Sequence, residues 1–218
     1  MTNENKKIVI FDWGGVIENN DSSYYTISKV IIDIMRKYDC TLTNNEILNI
    51  CSNGSKLFKT FIDNKEETTE DWFNNIKDKL NINCRYEEYK KAYYEFGKKI
   101  PYYKDVVDFA HSLREKCYIA IFSSLVKLDG KRIDDQVNLS LFDYKFLTYE
   151  MGYNKPDSKA FKYIEDKTGI NQNNILFIDD TDVNIEEANN RGWKTCKAKG
   201  YELEKIKKYV NMFLENRI

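Results

Sequence analysis

Four short apolar runs divide the chain: KKIVIFD (6–12), CYIAIFSS (117–124), YKFLTYE (144–150) and NILFIDD (174–180), with a possible fifth at WKTCKAK (193–199). They are short and rich in β-branched and aromatic residues, which marks strands rather than buried helices. Three of them, the first, second and fourth, end on Asp or Ser. Between the later runs lie helical patterns: VVDFAHSLREK before the second, SKAFKYIEDKTG before the fourth and VNIEEANNRG between the fourth and fifth. Strands that alternate with helices specify βαβ units, hence a parallel sheet covered on both faces.

The gap between the first run and the second breaks this alternation. From Ser22 to Lys99 no strand pattern is found, whereas Ile27, Val30, Ile31, Ile34, Met35 and Tyr38 recur at helical spacing, as do Trp72, Phe73, Ile76 and Leu80. A further amphipathic segment, EEYKKAYYEFGKK, leads to Pro101, where the chain can return to the sheet. The expected architecture is α/β: a doubly wound, Rossmann-like parallel-sheet core from residues 1–17 and 101–218, with an all-helical domain inserted at 18–100.

Charge and cysteine usage narrow the functional classes. With 34 Lys+Arg against 35 Asp+Glu the formal charge is −1, so no global field recruits nucleic acid or a membrane surface. Five scattered cysteines without a CxxC pair fit reduced thiols better than a disulfide framework or zinc site. The polar start MTNENKK and the short run after it match neither a signal peptide nor a spanning helix, so a soluble, cytoplasmic protein is expected.

In an open parallel sheet, ligands sit beyond the carboxyl ends of the strands, at the topological switch point. That rule assigns Asp12, Ser123, Asp179 and Asp180 to one rim. Carboxylates converging there repel one another unless a cation lies between them, and oxygen ligands without histidine suit a hard ion such as Mg²⁺. One such Asp alone would be read as a helix cap; three, joined by the lysine turn MGYNKPDSKAF (151–161), are read as a metal site. Lys155 before Pro156 supplies a charge able to neutralise an anionic substrate.

Taken together, these segments resemble the haloacid dehalogenase superfamily, in its subclass with a helical cap inserted after the first strand. IVIFD with Asp12 matches its nucleophile strand, and IAIFSS with Ser123 its second motif. Gly152, Lys155 and Pro156 match its Gly-x-x-Lys-Pro turn, and FIDDTDVNIEEANNRGW its fourth motif, through Asp179, Asp180, Asn184, Ala188 and Gly192. The resemblance implies phosphoryl transfer through an aspartyl phosphate on Asp12, with Ser123 holding a phosphoryl oxygen and Lys155 offsetting charge. It also implies Mg²⁺ on Asp12, Asp180 and the backbone carbonyl of Gly14, with Asp179 as a ligand or just behind the ligands.

Most phosphatases of that superfamily carry a second Asp two residues after the nucleophile, as general acid and base. Here that position is Gly14. The subgroup resembling glucose-1-phosphate phosphatases shares this Asp-x-Gly with a following Val-Ile, and a sugar hemiacetal leaves more readily than a simple alkoxide. The expected activity is therefore Mg²⁺-dependent hydrolysis of a small phosphorylated metabolite, with a sugar phosphate the candidate substrate. The alternatives are a relative that binds or regulates without turnover and, third, a 2-haloacid dehalogenase, which has no use for the double Asp. His111 is read as a structural or surface residue rather than a ligand, and Trp13 as a residue that packs the turn after Asp12 in preference to one that shapes the pocket. Glu18 lies near enough in sequence to serve as a substitute base, although the sequence does not fix its direction.

Overall fold

The computed structural model describes residues 6–51 and 69–218. The amino-terminal stretch 1–5 and the part of the expected helical insertion at 52–68 lie outside the described residues. Five strands form one parallel sheet in the order β3-β2-β1-β4-β5: β1 Ile8–Phe11, β2 Tyr118–Ser123, β3 Tyr144–Leu147, β4 Ile175–Asp179 and β5 Lys194–Lys197. The order grows outward from β1 through β2 to β3, then crosses back to place β4 on the other side of β1. The switch point is therefore the carboxyl end of β1 and β4. Both strands are buried along their whole length, which is why their sequences run as continuous apolar stretches rather than alternating.

Contacts divide the chain into two compact units, each with a core of its own. The first comprises Met1–Asn19, Tyr102–Ser124 and Val137–Ile218; the second comprises Asn20–Pro101 and Leu125–Gln136. In the first, alternate strand residues Ile8, Ile10, Ala120, Phe122, Ile175 and Phe177 point to one face of the sheet. Ala160, Phe161 and Ile164 from the helix Ser158–Thr168 pack on that face, together with Trp193. That helix starts where the sequence places it, because Asp157 caps it by accepting the Lys159 N–H at 2.9 Å and Gly169, at φ +63°, ends it. A last helix, Leu203–Leu214, buries Ile206, Val210 and Phe213.

The second unit is helical among its described residues, as the spacing predicts. Helices α1 (Ile27–Lys37), α2 (Asn44–Cys51), α3 (Thr69–Leu80) and α4 (Tyr86–Gly97) gather Val30, Ile34, Met35, Ile47, Trp72, Phe73, Ile76, Leu80 and Tyr89 into one core. A further helix, Lys127–Val137, follows β2 in sequence, yet residues 125–136 belong to this unit. Its attachment is polar as well as apolar. Arg132 and Asp129 are almost fully buried and pair at 2.9 Å, and the Tyr93 hydroxyl donates to the same Asp129 oxygen at 3.1 Å. Gly97 makes room for the stem of Arg132, since a Cβ there would stand closer than 3.0 Å to its Cδ. The five cysteines are free, and no helix among the described residues is long and apolar enough to cross a membrane.

Removing one member of a buried ion pair strands the other in low dielectric. Asp129→Ala should therefore cost about 3–5 kcal/mol of stability by urea denaturation. A loss below about 1 kcal/mol would mean that water reaches Arg132.

Candidate functional site

The register of β1 and β4 brings the carboxylates together. Phe11 pairs with Ile178, and the Asp12 N–H continues the ladder by donating to the Ile178 carbonyl at 2.9 Å, so Asp12 and Asp179 stand side by side one step further on. One oxygen each from Asp12, Asp179 and Asp180 lie within 4.8 Å of one another. Lys155 enters from the loop before the helix Ser158–Thr168. Its Nζ lies 2.6 Å from Asp12 Oδ1 and 2.7 Å from Asp179 Oδ2, and its side chain is buried like theirs. The same ammonium sits 5.2 Å from the centre of the Phe122 ring and 5.4 Å from that of Phe177, so aromatic faces partly replace its lost water.

Asp179 is fully buried and its oxygens are engaged. Oδ1 accepts the backbone N–H of Thr181 at 2.8 Å, Oδ2 accepts Lys155, and the Asn184 amide reaches both, at 3.2 and 3.0 Å. Thr181 precedes the helix Asp182–Asn190, whose positive end thus lies against the carboxylate pair. Asp180 is half-buried, and Thr181 Oγ1 donates to it at 3.3 Å. Its carboxylate faces the turn after β1, where Gly15 sits at φ +83° and a Cβ would come closer than 3.0 Å to all three carboxyl atoms of Asp180. Only glycine meets both conditions.

Burial governs the titration of these groups. It pushes Asp12 up from its usual 3.8 to about 7, with Asp179 adding to the rise and Lys155 opposing it. Asp180 is raised for the same reason, burial first and Asp179 second. Lys155 would be lowered by burial, but Asp12 and Asp179 outweigh that and raise it, so the ammonium keeps its proton. Three carboxylates against one ammonium leave an excess of two negative charges when all are ionised. An all-oxygen donor set with that excess suits a hard divalent cation.

The residues expected at one rim are accounted for as follows. Asp12, Lys155, Asp179 and Asp180 form one cluster. Ser123 ends β2 on the same rim, nearly buried, and its carbonyl accepts from Thr148 Oγ1 at 3.4 Å, but among the described residues no hydrogen bond joins its hydroxyl to the cluster. Gly14 lies in the turn, and no atom beyond its chain neighbours comes within 4 Å of where a Cβ would stand. The sequence reading did not foresee the hold of Asn184 on Asp179 or the aromatic walls of Lys155. The aromatic walls were open to a register argument, because Phe122 and Phe177 point to the same face of the sheet. His111 packs its ring edge-on against Phe142, with centroids 5.2 Å apart, a structural setting.

A model of the haloacid dehalogenase-like hydrolases matches residues 9–198. The chain belongs to that family. Solved structures of the family share the fold. A HAD family enzyme of Bacteroides thetaiotaomicron, solved with magnesium and inorganic phosphate, superposes with a TM-score of 0.72 at 21% identity over 90% of this chain and 96% of that one. A protein of Porphyromonas gingivalis described as a predicted HAD-like family hydrolase gives 0.68 at 19% identity, over 89% and 92%. An L-2-haloacid dehalogenase of Xanthobacter autotrophicus with chloropropionic acid covalently bound gives 0.59 at 14%, over 87% and 76%. No curated protein shows a significant match.

A carboxyl whose folded value is raised contributes stability that is fully present below its unfolded value and is lost as the pH rises through the folded one. With chelator present, the Asp12 contribution should therefore be intact below 3.8 and gone above about 7. Unfolding measured on both sides of that window should show the decline, and a divalent cation should restore more stability at the alkaline end. Equal restoration at both ends would contradict the buried, charge-starved setting of Asp12.

Proposed function

We propose that the chain is a Mg²⁺-dependent phosphatase that hydrolyses a small phosphorylated metabolite through an aspartyl phosphate on Asp12. The observation that carries this reading is the buried cluster in which Lys155 bridges Asp12 and Asp179 while Asp180 stands alongside. Phosphoryl transfer needs little covalent chemistry from a protein beyond the nucleophile; it needs positioning and positive charge where negative charge develops. The magnesium and phosphate held by the Bacteroides relative support the same reading.

In this reading Asp12, Asp180 and the Gly14 carbonyl hold the cation, whose chemistry is to offset charge on the phosphoryl oxygens. Asp179, with both oxygens engaged, orients Lys155 rather than serving as a main ligand. The free oxygen of Asp12 attacks phosphorus as the ester oxygen leaves with the bonding pair; Lys155 stays protonated and balances the charge on Asp12 and the phosphoryl group. Ser123 donates to a phosphoryl oxygen. Water then attacks phosphorus, frees Asp12 and releases inorganic phosphate.

Gly14 brings no carboxylate to either proton transfer, which favours a substrate whose leaving group needs little help. A sugar carrying phosphate on its anomeric carbon, as for the glucose-1-phosphate phosphatase-like subgroup, meets that demand. The same glycine favours a second reading, a family member that binds phosphorylated ligands with little or no turnover. A dehalogenase role is disfavoured because it leaves Asp180, beside Asp12 and Asp179, without a task.

A panel of phosphate esters assayed with Mg²⁺ should yield hydrolysis that chelator abolishes and that Asp12→Asn removes. Activity that survives Asp12→Asn would overturn the nucleophile, and binding of phosphate esters without turnover would favour the second reading. Gly14→Asp has room for its first carbon and should raise hydrolysis of alkyl phosphates by up to about 10²–10⁴, and that of sugar-1-phosphates by less. An equal gain on both classes would contradict the leaving-group argument.

A further inference from the structure

We infer that Thr148 is a positioning residue for phosphoryl binding: its buried hydroxyl holds the end of β2 against the turn that leads to Lys155, and so fixes where Ser123 presents its own hydroxyl. The inference rests on the phosphatase reading above and adds to it a residue that the four motifs do not include.

Thr148 follows β3 directly, opens the short helix Thr148–Met151 and is 1% exposed. In the β2–β3 register Leu147 stands opposite Ser123, so Thr148 lies one step beyond the last paired residues. There its Oγ1 lies 3.4 Å from the Ser123 carbonyl oxygen and 3.4 Å from Asn154 Oδ1. A threonine hydroxyl has one proton to give. Two acceptors at the same distance share it in a three-centre bond, which accounts for each leg being longer than an ordinary O–H···O contact. Packing explains a β-branched side chain at position 148 but not its oxygen. Valine has the same shape and would leave both acceptors without this donor.

The two acceptors differ in what they offer. Asn154 belongs to a turn that is held along its length. At one end the Gly152 N–H donates to the Thr148 carbonyl at 2.7 Å, and in the middle the Asp157 N–H donates to the Asn154 carbonyl at 2.8 Å. Lys155, the next residue, is fixed by its contacts with Asp12 and Asp179. The turn is therefore an anchor tied to the carboxylate cluster itself. Ser123 is what the anchor holds: it ends β2, and its hydroxyl has no hydrogen bond to that cluster among the described residues. By gripping the Ser123 carbonyl, Thr148 sets the direction of the last peptide of β2, and with it the place from which the serine hydroxyl reaches a phosphoryl oxygen. Placement matters at this scale, since a shift of about 1 Å at a reacting group can cost about 10²-fold in rate.

The test is a double-mutant cycle in the full-length protein, read by calorimetric binding of inorganic phosphate in the presence of Mg²⁺. Ser123→Ala removes the serine hydroxyl but keeps the carbonyl that Thr148 holds. In the parent, Thr148→Val should weaken phosphate binding about tenfold. In the Ser123→Ala protein the same change should weaken it by less than about twofold, because the hydroxyl it would misplace is gone. Thr148→Ser keeps the donor and loses a buried methyl group, so it should bind phosphate within about twofold of the parent while unfolding at lower urea. Should Thr148→Val fail to fold, Thr148→Ala takes its place in the cycle. A loss as large in the Ser123→Ala protein as in the parent, no loss in the parent, or a Thr148→Ser protein as weak as Thr148→Val overturns the inference and leaves the phosphatase reading standing. Ser123→Ala that binds phosphate as the parent does overturns the inference together with the role of Ser123. Failure of phosphate to bind the parent at all overturns both the inference and the phosphatase reading.

Discussion

A single ammonium ion organises this molecule. Lys155 lies within 2.7 Å of two carboxylates that the β1–β4 register would otherwise force together in low dielectric. Burying such a charge is expensive, and pairing alone seldom recovers the cost. Here the recovery is distributed. Asp12 and Asp179 supply charge, Phe122 and Phe177 supply aromatic faces, and Asp179 is itself held by Asn184 and the Thr181 N–H. The lysine is thereby fixed in place, and in the phosphatase reading proposed above that leaves little reorganisation for the moment of reaction.

Around that ion the backbone is arranged by what it omits. Gly15 has no side chain because Asp180 occupies the place of a Cβ, and its carbonyl accepts the N–H of Gly200 at 2.9 Å, which ties the turn after β1 to the end of the chain beyond β5. Gly200 in turn has no room for a Cβ against the Val16 carbonyl. Gly14 is different, because nothing crowds it. Crowding at the first side-chain carbon therefore does not explain the missing carboxylate at position 14. The helical unit holds its own apolar core and its own buried Arg132–Asp129 pair.

The centre of the sheet was legible because β1, β2 and β4 are almost unbroken apolar runs, and its rim because those runs stop on Asp12, Ser123 and Asp179. YKFLTYE reads as strand to its end, yet the chain turns into the short helix Thr148–Met151 after Leu147, since local pattern cannot tell four residues of strand from seven. The helix Lys127–Val137 escaped notice because its buried face is partly ionic: Asp129 and Arg132 occupy positions that a hydrophobic pattern counts as surface. The cluster of Asp12, Lys155, Asp179 and Asp180 followed from motif and switch point. Which oxygen each neighbour claims did not, since that depends on register and rotamer, and it is these claims that separate Asp180 as a candidate ligand from Asp179 as the support of Lys155.

The central claim is that Asp12 becomes phosphorylated during turnover. Acid-quenched mass spectrometry of the protein mixed with Mg²⁺ and a phosphate ester that it hydrolyses tests this most directly. The account predicts a hydroxylamine-labile phosphate on the peptide containing Asp12, formed at the rate of the first turnover and absent in Asp12→Asn. Product release with no phosphate on that peptide at any time point would contradict it.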